Sequence, residues 1–149
     1  MAAWYTADPL YCFSDDPATT PCGDGDVVAV WRDRSGNAKH LGQTTNALRP
    51  TLRLSGGRWV VRFDGTDDHL KVVAASLTLA QPYTAAVSFT KTSATTVPGV
   101  LMDSDSAVQS VLYVGDGPGL VLLRAVAGGG TPLDVNDRCD TPTVALAVF

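Results

Sequence analysis

Three carboxylates fall within five residues at Asp64-Gly65-Thr66-Asp67-Asp68, followed directly by His69. Carboxylates are hard oxygen donors, and Ca²⁺ takes about six to eight oxygens at once. Asp64, Asp67 and Asp68 are therefore the candidate metal ligands and Ca²⁺ the ion they imply, with Asp103 and Asp105 as further donors if the fold brings their loop near. The same cluster also reads as turn chemistry, because Gly65 is free to take positive φ and Asp side chains bond nearby backbone. A second polar group, Asp33, Ser35 and Asn37, surrounds Gly36. Short polar side chains of this kind close a tight turn on the backbone, or line a rim where a sugar or an ion binds. Tyr11, in a loop rich in Ser, Asp and Pro, is the aromatic expected to face outward. Tyr11, Asp33, Asn37 and His69 are accordingly the ligand-binding candidates, although His40 and His69 lie in no partner motif and read first as satisfied structural histidines.

The elements that must position these groups are strands. The 149 residues include 18 Val and 16 Thr but neither Glu nor Ile. Good helix formers other than Ala and Leu are scarce, while β-branched residues and the Gly and Pro that punctuate strands are plentiful. Trp59, Val61 and Phe63 alternate with Val60 and Arg62, the period of a half-buried strand. The turn cluster at 64–67 and the apolar run from Leu70 to Val73 then suggest an antiparallel hairpin, with Trp59, Val61 and Phe63 buried. Other strands are expected at Ala3–Asp8, at Val27–Trp31, around Lys39–Gln43, at Leu48–Leu54 with Pro50 at its entry, and at Tyr83–Thr90. Four more are expected at Gly99–Met102, Ser110–Val114, Leu120–Val126 and Thr143–Phe149. Ser76–Leu79 has room for one helical turn. Trp31 is expected to plug the core. Thr143–Phe149 is apolar on both faces, so it should lie between two strands of the same chain or be completed by a neighbouring subunit or by residues beyond these 149.

Many short strands with turns between them indicate an all-β sandwich or barrel in a single domain, 1–149. The net charge of −4 provides no basic surface for phosphates, so nucleic acid is not an expected partner. No apolar run reaches the ~20 residues needed to span a bilayer as a helix, and residues 1–8 lack the basic and apolar regions of a secretory signal. Cys12, Cys22 and Cys139 have neither Cys-x-x-Cys spacing nor a nearby His, which disfavours a metal site. Free thiols, or a Cys12–Cys22 bridge, are the two states open to the first pair. Gly-x-Ser-x-Gly and Walker motifs are absent.

Four segments carry a resemblance: Ala3-Trp4-Tyr5 with Ala7-Asp8; Trp31-Arg32-Asp33-Arg34-Ser35-Gly36-Asn37 with His40; Arg49-Pro50-Thr51; and Val61-Arg62-Phe63-Asp64-Gly65-Thr66-Asp67-Asp68-His69-Leu70. Their order and spacing resemble the laminin-G-like, concanavalin A-like jelly rolls of phage virion and bacterial surface proteins. The resemblance implies a two-sheet antiparallel jelly-roll sandwich. Past Leu70 only the rhythm of strands agrees, and domains of that family run on for several strands beyond the segment that Thr143–Phe149 resembles, which implies a jelly roll incomplete at its C-terminus or a minimal variant. Glycan hydrolases similar to this fold use a pair of Glu carboxylates. This chain has no Glu, so catalysis is not expected. The implied protein is a non-enzymatic virion structural, decoration or adhesion component, exposed outside the cell after lysis and assembled with other virion or surface subunits. A glycan is its candidate ligand, and Ca²⁺-assisted carbohydrate recognition is the alternative.

Overall fold

Short apolar runs broken by Asp, Gly and Pro can form only short ladders, and most strands in the first half of the chain are two residues long. The computed structural model describes residues 2–72, 84–90, 99–102, 110–114, 121–127, 133–137 and 143–148. The chain divides into two compact units, Met1–Leu79 and Ala80–Phe149. The described residues are mostly strands in antiparallel pairs, and the single turn of 3-10 helix at Asn46–Leu48 is the helical element among them. The all-β organisation expected from the composition is thus present.

In the first unit, β1 (Cys12–Phe13), β2 (Val30–Trp31) and β3 (Leu41–Gly42) lie side by side. Downstream, β4 (Thr51–Ser55) and β5 (Arg58–Arg62) form a hairpin, and β6 (Lys71–Val72) returns to the outer side of β3. The resulting sheet order is β1-β2-β3-β6, antiparallel throughout. Backbone bonds attach the hairpin to the segment before β2: Val28 N–H donates to the Pro50 carbonyl at 2.7 Å, and Leu52 N–H to the Asp26 carbonyl at 2.8 Å. Cys12, Cys22, Val28 and Leu52 make the centre of the core, with Ala7, Trp31, Trp59, Val61 and Leu70 packed against it. A second cluster joins Phe13, Ala18, Ala29 and Val30.

The hairpin expected between 59–63 and 70–73 does not form. Gly56 and Gly57, at φ 56° and 76°, make a two-residue loop that folds β5 back onto β4, from Ser55↔Arg58 to Thr51↔Arg62. Loops with positive φ at both central positions match the twist of the strands they join. The Asp64 segment is instead a compact loop, and β6 pairs with β3. Register places Leu52, Leu54, Trp59 and Val61 on one face. Trp59 and Val61, expected buried, are half-buried, Arg62 is exposed, and Phe63 lies past the end of β5 and is 45% exposed. Trp31 is also only half-buried, its indole N–H donating to the Thr6 carbonyl at 2.8 Å. Residues 3–8 join no ladder, and residues 27–29 make a single isolated bridge, Val27↔Thr51.

The second unit holds β7 (Thr84–Phe89), β8 (Gly99–Met102), β9 (Ser110–Val114), β10 (Val121–Ala127), β11 (Leu133–Asp137) and β12 (Thr143–Val148). β8 to β11 are a four-stranded antiparallel meander with a register shift between Val100 and Met102. β11 was not expected, because Asp134, Asn136 and Asp137 weaken its strand signal. β7 alternates as read, Val87 and Phe89 half-buried against exposed Ala86 and Ser88. β12 pairs with β7 in a two-stranded sheet. Among the described residues it is therefore flanked on one side rather than two. The helical turn expected at Ser76–Leu79, the Asp103 and Asp105 loop and Cys139 lie outside the described residues.

Candidate functional site

The turn that closes β2 is built on one carboxylate. Asp33, 8% exposed, accepts the Trp4 N–H at 2.9 Å and the Ser35 N–H at 2.8 Å through Oδ1. Its Oδ2 accepts the Ser35 hydroxyl at 2.7 Å and the Lys39 N–H at 3.1 Å. Burial pushes this carboxyl's pKa up, but the N–H groups of Ser35 and Trp4, the Ser35 hydroxyl and the Lys39 N–H outweigh it and hold it at about 2. With four donors on two oxygens, Asp33 is a structural hub rather than a group turned toward a ligand. Asn37 is similarly engaged, its side-chain amide donating to the Ala2 carbonyl at 3.1 Å. His40 Nδ1 accepts the Asp33 N–H at 3.1 Å.

What the hub positions is an aromatic and cationic shelf. Fixing Trp4 to Asp33, and Arg34 N–H to the Trp4 carbonyl at 2.8 Å, lays the N-terminal segment beside the turn. Exposure alternates at the start of this segment, Ala2 and Trp4 exposed and Ala3 and Tyr5 half-buried. Tyr5 goes inward: its ring sits 5.7 Å from that of Trp31 and its hydroxyl donates to the Lys39 carbonyl. Burial and the Asp33 charge push the Tyr5 pKa up to about 12. Trp4 goes outward and is 48% exposed. The Arg34 guanidinium carbon lies 4.4 Å from the ring centres of both Trp4 and Tyr11, and Nη1 donates to the Thr6 hydroxyl at 3.0 Å. Each such cation–π contact contributes ~0.5–1 kcal/mol at an exposed site. Tyr11 is half-buried, and Arg32 N–H, from the residue after β2, donates to its carbonyl at 2.7 Å.

The acidic loop is a second, separate construction. Asp64 Oδ1 accepts the backbone N–H groups of Thr66, Asp67 and Asp68 at 2.8, 3.3 and 3.4 Å. Asp68 Oδ2 in turn accepts the Asp64 N–H at 2.9 Å, and Gly65 takes φ 81°. One oxygen from each of Asp64, Asp67 and Asp68 lies within 4.8 Å of the others. The Thr66 N–H, with those of Asp68 and Asp67, holds the Asp64 carboxyl below its ordinary range. Partial burial, then the charges of Asp64 and Asp67, push the Asp68 carboxyl up. His69 ties this loop to Gln43, the residue after β3: its Nδ1 lies 2.9 Å from the Asp67 carbonyl and its Nε2 2.7 Å from the Gln43 amide nitrogen. Gln43 is buried and its Oε1 accepts the Thr45 N–H at 3.0 Å.

The structure thus brings Tyr11, Asp33 and Asn37 into one neighbourhood and leaves His69 in another. Trp4 and Arg34 were not among the sequence candidates. Trp4 was expected inward with the other aromatics, although the adjacent pair Trp4-Tyr5, read as part of a strand, required one of the two to face out. A cleft of about 110 Å³ lies between Asp16, Gly42, Gln43, Thr44, Lys71 and Val72. That is below the ~300 Å³ at which ligand pockets begin, so it cannot enclose a sugar. No family model, no curated protein and no solved structure matches this chain.

Proposed function

We propose that this chain is a non-enzymatic, concanavalin A-like jelly-roll component of a virion or surface assembly, and that Trp4, Arg34 and Tyr11 form a shallow glycan-binding shelf on its N-terminal unit. The observation that carries this reading is the half-exposed Trp4 ring, held by the Arg34 guanidinium and anchored through its backbone to Asp33. A sugar ring stacks its C–H face on an exposed aromatic and takes hydrogen bonds from neighbouring polar groups, which an Arg beside Trp supplies. The assembly part of the proposal rests on the resemblance of residues 3–70 to virion and surface jelly rolls, and on β12, a strand apolar on both faces that a further subunit would cover. Partners would then be other assembly subunits, met outside the host cell.

One observation favours a second reading, Ca²⁺-assisted recognition: the three Asp oxygens gathered in the 64–68 loop. Against it, Asp64 and Asp68 already spend oxygens on backbone N–H groups. A glycan array probed with the full chain, in millimolar Ca²⁺ and again with a chelator, separates the two. Binding to a defined set of glycans that survives chelation is the expected result. Binding lost on chelation would move the site to the acidic loop, and no binding in either buffer would refute the glycan reading.

A further inference from the structure

The segment 12–22 leaves β1, turns, and returns alongside it. Phe13 and Pro21 face each other in an isolated antiparallel bridge, with Ser14 N–H donating to the Thr20 carbonyl at 3.0 Å and Cys22 N–H to the Cys12 carbonyl at 2.9 Å. Counting outward from the bridge, Cys12 and Cys22 are directly opposite. Opposed residues in an antiparallel pair have Cα atoms ~4.5–5.5 Å apart and side chains on one face; here one of the two cross-strand bonds is made, because the Cys12 N–H donates to the Asp8 carbonyl at 3.0 Å. That Cα separation is inside the ~4.4–6.8 Å window of a disulfide. Both thiols are free, buried, and part of one core cluster with Val28 and Leu52.

We infer that Cys12 and Cys22 form a redox site whose oxidation closes the 13–21 loop with a disulfide. The oxidant is a small-molecule disulfide of the glutathione class. One cysteine, as thiolate, attacks a sulfur of the oxidant, breaking its S–S bond and releasing one equivalent of small thiol. The second cysteine attacks the protein sulfur of that mixed disulfide, forming the Sγ–Sγ bond and releasing the other equivalent. The two protein thiol protons end on the two released thiols, so the protein loses two hydrogens and the oxidant gains them.

Two features set the rate. Burial pushes the Cys12 thiol up to about 11 and the Cys22 thiol up to about 12, and the Cys22 thiol donates to the Val27 carbonyl at 3.4 Å. Thiolate is the attacking species, so exchange waits for the loop to open. The loop has its own internal brace, Asp15 accepting the N–H groups of Thr19 and Thr20 at 2.9 and 2.8 Å, which keeps its ends close during such an opening. Tyr11 of the glycan shelf directly precedes Cys12, so closure stiffens the base of that shelf; the redox site itself does not depend on the glycan reading.

The test uses the full chain carrying Cys139→Ser, equilibrated in mixtures of reduced and oxidised glutathione. The expected product has lost two hydrogens by mass, resists alkylation, appears faster in mild urea, and melts roughly 5 °C or more above the reduced form. The chain without substitution, mapped by proteolysis, should give a peptide pair joined through Cys12 and Cys22. Two alkylatable thiols at equilibrium, glutathione retained on one cysteine, pairing through Cys139 in the unsubstituted chain, or a lower melting temperature on closure would each overturn the inference.

Discussion

Asp33 holds Trp4 from 29 positions along the chain, its Oδ1 accepting the Trp4 backbone N–H at 2.9 Å. The N-terminal segment is thus fastened by a side chain rather than by a strand ladder. Replacing Asp33 by Ala leaves donors from Trp4, Ser35 and Lys39 without their acceptor, and an unsatisfied buried group costs ~1–3 kcal/mol. We expect a loss of that order in urea denaturation, with Trp4 becoming more mobile by fluorescence anisotropy. A change under ~0.5 kcal/mol would mean the turn holds itself together without the carboxylate.

The same carboxylate sets a pH dependence. Its folded pKa, about 2, lies below the ordinary 3.8. The folded state therefore favours the ionised form, and the stability this contributes is fully present above about pH 4 and is lost as pH falls through about 2. Melting curves from pH 5 to 2 should show a decline that is shallower in Asp33→Asn. Equal slopes in the two proteins would place the acid sensitivity elsewhere.

Gly57 tests the hairpin. At φ 76° a Cβ is strained although space around it is open. Gly57→Ala should destabilise by ~1 kcal/mol or more, because alanine resists this backbone conformation. If 58–62 instead paired with 70–73, the substitution would be neutral.

For the acidic loop, the oxygens of Asp64 and Asp68 that hold the backbone are the reason to expect no response to metal. Millimolar Ca²⁺ should leave the melting temperature unchanged, since an ion stabilises only by binding the native state. A rise abolished by Asp67→Ala would establish a cation site there.

Much of this was legible from residue order. The alternation of β7, the apolar run of β10, and the excess of Val and Thr were enough to place strands. Pairing was harder to read, because a strand's apolar period identifies its face and not its neighbour. Trp59–Phe63 therefore matched Leu70–Val73 as well as Thr51–Ser55 on sequence, and the choice was made by two glycines. Cys12–Phe13 was hidden among Ser, Asp and Pro that read as loop. At the site, the backbone-binding role of Asp33 and Asn37 followed from side-chain length, whereas the outward turn of Trp4 depends on a contact between residues 4 and 33 that no local pattern carries.

The most direct test of the proposed shelf is calorimetric titration of the best-bound array glycan into the unsubstituted chain and into Trp4→Ala, whose backbone N–H still reaches Asp33. Binding should be at least about tenfold weaker in Trp4→Ala, a loss of ~1.4 kcal/mol, with the melting temperature lowered by no more than about 4 °C as the Arg34 contact is lost, and affinity partly restored in Trp4→Phe. Equal affinity in the two proteins would contradict the proposed shelf.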